Sequence, residues 1–437
     1  MEEPAEAGQF NIRKWINNSC SISFKIFLIM ILILVMLIPK GMVEELVHER
    51  MKRSNEAVSE VSAKWGGAQV LDGPVLSIRV KDGTENKYLH MNCKDLKIDA
   101  KVKSEERSRG IFSAVLYSAD LKLDGHFLIP SEKESGLSED MLDFSNAFIT
   151  FGLSDTAGLS AGVKINIEDA AYSAKPGLPV DAGIAAGFHV PLKLSPANRQ
   201  IKISTNLKIN GSEILEFVPS GDNTEVYLSS DWKDPSFQGA FLPSKREVGD
   251  DSFTADWKIH ELQRNIENNW QGSKKNDSKA HFGVKLIQVN DVYQRILRVI
   301  KYAILFISFT FAAVFISERI TRISIHPVQY LLTGLASLFF YVFLLSLSEH
   351  LTFNIAYGVT STVITFLIAA YAKAIFRSMK MAYTMGGISS LLYLFLFGTL
   401  QLEDYALLMG SWGLLFILAI VMYLTRGINK EEQLVRA

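Results

Sequence analysis

Six apolar stretches, one near the start and five crowded into the last third, constrain this 437-residue chain more than any motif it carries. About 17 or more apolar residues in a row can cross the hydrocarbon core as a helix, which satisfies its own backbone hydrogen bonds. The first stretch covers 24–38, extended by Ile22, with Lys25 near its start where the side chain can snorkel toward headgroups. The others are 302–317, 328–347, 353–372, 383–400 and 405–424. The roughly 260 residues between the first and second read as one large water-soluble domain. A formal net charge of -1 offers no basic excess for nucleic acid.

Loop charge sets the expected orientation. Arg319 and Arg322 lie in the second-to-third loop, Lys373, Arg377 and Lys380 in the fourth-to-fifth, and Arg426, Lys430 and Arg436 in the tail. The alternate loops, around Glu349-His350 and Gln401–Asp404, hold no Lys or Arg. Short basic loops stay cytoplasmic, so both termini are expected inside and residues 42–301 outside. Leu37-Ile38-Pro39-Lys40 lacks a small-x-small cleavage site, which favours a retained signal-anchor over a cleaved signal peptide. The expected division is a tail over 1–21, a transmembrane helix over 22–41, an extramembrane helix over 42–66, a β-rich domain over 67–291, a helical lead-in over 292–301, a five-helix bundle over 302–424 and a tail over 425–437.

Within the large domain the hydrophobic period is two. Leu76, Ile78 and Val80 alternate with Ser77, Arg79 and Lys81; Leu96, Ile98, Ala100 and Val102 alternate with charged residues; Ile201 to Ile209 does the same. Such alternation marks strands with one buried and one wet face. Leu123-Asp124-Gly125, Asn210-Gly211 and Ser220-Gly221-Asp222-Asn223 read as turns, and the Gly/Ala/Ser/Pro-rich 157–187 as a seam or long loop. The fold class expected is an α+β membrane protein: six transmembrane helices, one N-terminal and five bundled, with a large β-rich, sandwich-like extracytoplasmic domain of packed or fused sheets inserted after the first.

Catalytic and metal constellations are weak. His48-Glu49 and His260-Glu261 each begin H-E-x-x-H, but Lys52 and Arg264 stand where the second imidazole is needed. Ser230-x-x-Lys233 matches a hydrolase motif by letters, in strand-like context and without its K-T-G companion. The two cysteines, Cys20 and Cys93, fall on opposite sides of the first span, so neither an intrachain disulfide nor a cysteine metal site is expected. Ionisable residues Glu318, His326, Glu349 and His350 sit at span ends, while the spans hold small and hydroxylated residues such as Thr333, Gly334 and Ser337, suited to helix packing. Glu349-His350 is the best polar pair; it either caps a helix end or binds a cation.

Two stretches carry a family resemblance. One is Asp234-Pro-Ser-Phe-Gln-Gly-Ala-Phe-Leu-Pro-Ser-Lys-Arg-Glu-Val248, followed by Phe253 to Trp257. The other is Lys301 to Leu305, His326-Pro327 through Leu332, and Leu345-Ser-Leu-Ser-Glu349-His350. With the span arrangement, these make the chain resemble the CreD family of bacterial inner-membrane proteins from Phe24 to Arg426. The resemblance implies a role in cell-envelope integrity, in a bacterial inner membrane with a periplasmic domain, and implies no enzymatic activity and no cofactor. Asp234, Pro235, Phe237, Gly239, Phe241, Pro243, Lys245, Arg246 and Glu247 match the family pattern without an assigned role: a structural hairpin or a binding edge. The expected function is therefore non-catalytic, with the bilayer and an unidentified envelope component as partners. A transporter or lipid-handling bundle is the alternative, and a periplasmic enzyme using Ser230 and Lys233 a third reading.

Overall fold

In a computed structural model of the chain, the described residues are 12–81, 87–168, 170–181, 184, 186–195, 199–264, 267–272, 280–286, 292–401, 411, 415 and 419, with side chains from 24 onward. Two compact units emerge, Met1–Lys52 with Asp291–Ala437, and Arg53–Asn290. The first element, α1 (Ile12–Trp65), is a single helix that starts ten residues before the expected span and continues through the expected extramembrane helix.

The second unit is β-rich. Its strands are β1 (Gln69–Val80), β2 (Tyr88–Arg109), β3 (Phe112–Leu128), β4 (Leu142–Leu153), β5 (Lys164–Ile167), β6 (Ala170–Ser173), β7 (Lys175–Pro176), β8 (Gly187–Leu192), β9 (Gln200–Ser212), β10 (Ile214–Phe217), β11 (Gly221–Ser230), β12 (Pro235–Gly239), β13 (Lys245–Val248), β14 (Phe253–His260), β15 (Asn269–Gln271) and β16 (Phe282–Leu286), with short helices α2 (Glu132–Ser135) and α3 (Glu261–Arg264). The two expected sheets are fused through β2. Its first residues pair with β1 and β15, and from Cys93 onward it pairs with β3 and β11. One sheet runs β12-β16-β10-β1 and continues through β4, β8 and β7; the other runs β13-β14-β11-β2-β3-β9-β5-β6. Alternation predicts β2 and β9 well: Leu96, Ile98, Ala100 and Val102, and Ile201 to Ile209, enter the shared core.

Three local expectations are corrected. Leu123-Asp124-Gly125 and Asn210-Gly211 are not turns; they lie inside β3 and β9, paired with each other's strands. At Gly211 a Cβ would meet the Tyr117 hydroxyl at 2.3 Å, so this glycine serves close approach rather than chain reversal. The described part of 157–187 carries short strands rather than a long loop throughout: β5 and β6 close one sheet, and β7 pairs with β8 of the other. Ser77, expected on a wet face, is buried with its Oγ 2.8 Å from His90 Nδ1, because both faces of β1 are covered.

In the first unit, α4 (Val292–Lys301) leads into α5 (Ala303–Thr321), α6 (Pro327–Ser348), α7 (Phe353–Phe376) and α8 (Met379–Gln401). Among the described residues, five helices are long and apolar enough to cross a membrane: α5 to α8 and the stretch of α1 from Phe24. The expected span over 405–424, apart from 411, 415 and 419, the tail over 425–437 and the first eleven residues of the expected tail over 1–21 lie outside the described residues. Among the described side chains of α1, only Met36, Val43 and Val47 are buried, while Phe24, Phe27, Met30, Leu34 and Ile38 are exposed. That face is suited to lipid. Where α1 meets α6, a Cβ on Gly334 would sit 2.8 Å from Phe311 and 3.0 Å from Met36, the close packing that small residues permit.

Candidate functional site

The 234–248 motif resolves into two parts with different jobs. Its apolar members form a clip between the sheets. Pro235 to Gly239 (β12) pairs with β16 in one sheet, and Lys245 to Val248 (β13) pairs with β14 in the other, so the motif is a crossover and not a hairpin. Phe237 meets Phe253 and Trp257 edge-on, with ring centroids 5.7 and 5.9 Å apart, and Phe241 meets Phe282 at 6.2 Å. Trp257 donates its indole N–H to the Phe241 carbonyl at 3.2 Å. Gly239 has φ +97°, and a Cβ there would strike the His281 carbonyl at 2.2 Å, so only glycine fits the corner. Asp234 and Pro243 are half-buried at the two ends of the clip.

The charged members behave otherwise. Lys245, Arg246, Glu247 and Val248 are all exposed. Among the described residues β13 pairs only with β14, so it is a sheet edge. Charged side chains on such an edge discourage indiscriminate pairing while leaving backbone groups for a selected partner.

The membrane-unit residues singled out from sequence split as well. His326 is the N-cap of α6: its Nδ1 accepts the Val328 N–H at 3.3 Å, and Gln329 Oε1 accepts the His326 N–H at 3.0 Å. Pro327 takes the first helical position, where its missing N–H costs nothing. Glu349 is the C-cap of α6, and its carboxylate meets Arg50 Nε of α1 at 3.8 Å and the Tyr293 hydroxyl of α4 at 3.4 Å. His350 is exposed, and its backbone N–H donates to the Leu347 carbonyl. Among the described residues, the partners of the Glu349 carboxylate are thus Arg50 and Tyr293 rather than the adjacent His350.

Two polar clusters escaped the sequence reading. At the other end of α5, Glu318 is nearly buried, ion-paired with Lys25 of α1, and accepts the Tyr330 hydroxyl at 2.8 Å. Its sequence signal was a carboxylate at a span end with a lysine at the start of another span, but nothing in the sequence matched the two. The second cluster lies in the β-rich unit. Arg264, fully enclosed, reaches Asp222 Oδ1 at 2.8 Å and the Pro219 carbonyl at 3.3 Å. Asp222 also holds Lys94 at 2.8 Å. Burial pulls the Arg264 guanidinium below its usual value against the charge of Asp222, and the hydrogen bond and charge of Asp222 raise the Lys94 ammonium. The arginine that spoiled the H-E-x-x-H pattern is thus a structural ion, and the supposed turn Ser220–Asn223 is its socket. His260 Nδ1 meets Asn223 Oδ1 at 2.9 Å. Ser230 accepts the Trp232 backbone N–H at 3.3 Å, and Lys233 is exposed. Among the described residues no group of three or more His, Cys, Asp or Glu is arranged to hold a metal ion.

Comparison with known proteins adds the following. The family described as "Inner membrane protein CreD" matches residues 21–431. A curated relative, Inner membrane protein CreD from Escherichia coli (strain K12), is 30% identical over 414 residues, covering 91% of each chain. Among solved structures, an M1 zinc metallopeptidase mutant from Deinococcus radiodurans with a Tyr-Ser-Ala substrate aligns with 48% of this chain and 52% of that one. The identity is 9% and the TM-score 0.20.

Proposed function

Because the chain belongs to the CreD family of inner-membrane proteins, we propose that it contributes to cell-envelope integrity without catalysing a reaction. In this reading both termini are cytoplasmic, the β-rich unit is periplasmic, and β13 is the edge on which an envelope component docks. The observation that carries it is the division of labour within one motif. Phe237 and Phe241 are half-buried and pack against the core, and Gly239 makes the tight corner between them, whereas Lys245, Arg246 and Glu247 are exposed on an open strand. Nothing in packing requires those three to be charged, so recognition is the reason offered for them. The basic loops carrying Arg319, Arg322, Arg377 and Lys380 support the orientation.

A photo-crosslinking residue placed at Arg246 in living cells tests the docking edge; it should capture an envelope component, and recovery of self-contacts alone would remove the reading. An alkaline phosphatase fusion after residue 220 tests the compartment, and a silent reporter there would reverse it. The transporter alternative draws little support from the bundle, since Glu318 and Glu349 are each matched by a basic residue of α1 rather than held unpaired at mid-depth.

A further inference from the structure

Between α1 and the α5–α6 connection lies a cavity of about 680 Å³. We infer that it binds the phosphate of an anionic phospholipid, in the leaflet on the side of Lys25. The cavity has two kinds of wall. Phe24 and Leu28 of α1 form an apolar side, continuous with the exposed Phe27 and Ile31 on the same helix. Arg319, Arg322 and His326 form a polar side. Apolar surface running into a basic rim matches an acyl chain running into a phosphate.

The charge balance favours an anion. Glu318 also lines the cavity and would repel one, but its carboxylate is occupied by Lys25 and by the Tyr330 hydroxyl. Arg319 and Arg322 have no ion pair among the described residues; Arg319 lies over the Phe315 ring, 5.3 Å from its centroid. With Lys25 and Glu318 cancelling, the rim carries two uncompensated positive charges. His326 adds a donor: its Nδ1 accepts from Val328, so the neutral ring carries its proton on Nε2. Pro327, the first residue of α6, also lines the cavity, so the positive end of that helix faces it. The rim lies where two bilayer-crossing helices end, which is headgroup depth, and basic residues there attract anionic lipid.

The test is native mass spectrometry of the full-length protein, delipidated in detergent and offered phosphatidylglycerol or phosphatidylethanolamine. The wild-type chain should retain phosphatidylglycerol preferentially. Each of R319Q and R322Q should weaken that retention roughly fivefold, and the double variant about thirtyfold. Thermal melting of the same samples verifies that the variants are folded, and the conservative pair R319K/R322K should keep most of the retention. R377Q, in the basic loop between α7 and α8 and outside this cavity, should have no such effect. Equal retention of the two lipids, a double variant that binds like wild type, or an equal loss in R377Q would each overturn the inference. Displacement of the lipid by millimolar inorganic phosphate would assign the site to a soluble phosphate and remove the lipid; continued retention would keep it.

Discussion

Replacing Arg264 with Met should be among the most damaging single changes in the β-rich unit. The guanidinium is completely enclosed and Asp222 is nearly so, with side-chain exposures of 0% and 9%. Removing one member of a buried pair typically costs 3–5 kcal/mol, because the other charge stays behind in a poor solvent. Here Asp222 keeps Lys94 at 2.8 Å, and Lys94 is 44% exposed and reaches water. This second partner trims the loss to about 2–4 kcal/mol. For a unit of this size, about 3 kcal/mol corresponds to roughly 6–12 °C in midpoint. Buried Trp232 and Trp257 report its unfolding by intrinsic fluorescence in the purified full chain. Asp222→Leu should be at least as harmful, since it strands Arg264. The double variant Arg264→Met/Asp222→Leu should be less destabilised than the sum of the two by 1 kcal/mol or more, in order of magnitude. If Arg264→Met shifts the midpoint by less than about 2 °C, the socket does not hold the unit together as argued.

Three further outcomes follow from named contacts. Cys93 is buried and its thiol is pushed well up by burial, then by the charges of Asp222 and Asp95. In a Cys20→Ser background it should resist maleimide until the unit unfolds. Its folded value exceeds the unfolded one near ~8.5, so its contribution is intact below that pH and is lost as pH rises toward the folded value, by about 1.4 kcal/mol per unit. Cys93→Ala should flatten that alkaline slope, and identical slopes would refute the assignment. Gly334→Val should destabilise the bundle by about 1–3 kcal/mol through collision with Phe311 and Met36, read as a lower thermal midpoint, and Met36→Ala should recover part of it. Exchanging the partners, Lys25→Glu with Glu318→Lys, should restore the midpoint lost in either single variant; no recovery would mean the pair is not what joins α1 to α5.

Elements with one buried face were legible in the sequence, because a period of two or a run of apolar residues is a local signal. β2, β9 and α4 to α8 are of this kind. What the sequence hid depended on neighbours far along the chain. Gly125 and Gly211 carry turn letters, yet they sit mid-strand, and at Gly211 the reason is the Tyr117 side chain, 94 positions earlier. Ser77 looks wet until the second face of β1 is covered. The 234–248 motif showed its residues but not its geometry, since a crossover and a hairpin have the same local sequence and differ only in which strands, β16 and β14, receive them. Arg264 looked like a failed metal ligand because burial of a charge depends on its partner, Asp222, which lies at the start of β11 while Arg264 ends α3, 42 positions later.

The attachment of α1 to the bundle follows from a single periodicity. At about 100° per residue, Lys25, Met36, Val43, Val47 and Arg50 fall within a stripe of roughly 60°, while Phe24, Phe27, Met30, Leu34 and Ile38 fall on the opposite side. The first set contains every described α1 side chain that is buried, together with the two basic residues that meet Glu318 and Glu349; the second set is exposed. Lys25 and Arg50 are separated by about 37 Å of helix, more than the ~30 Å hydrocarbon core and less than the ~40–45 Å that includes headgroups. Both ion pairs therefore sit in the interfacial layers, where each keeps access to water, and Met36 against Gly334 fixes the rotation between them. One alanine inserted after Met36 would turn Val43, Val47 and Arg50 by about 100° away from the bundle. In a chain lacking Cys20 and Cys93, with cysteines at positions 50 and 349, a short bis-maleimide should join the two positions before the insertion and fail afterwards. Undiminished crosslinking after the insertion would show that α1 is held by something other than this stripe.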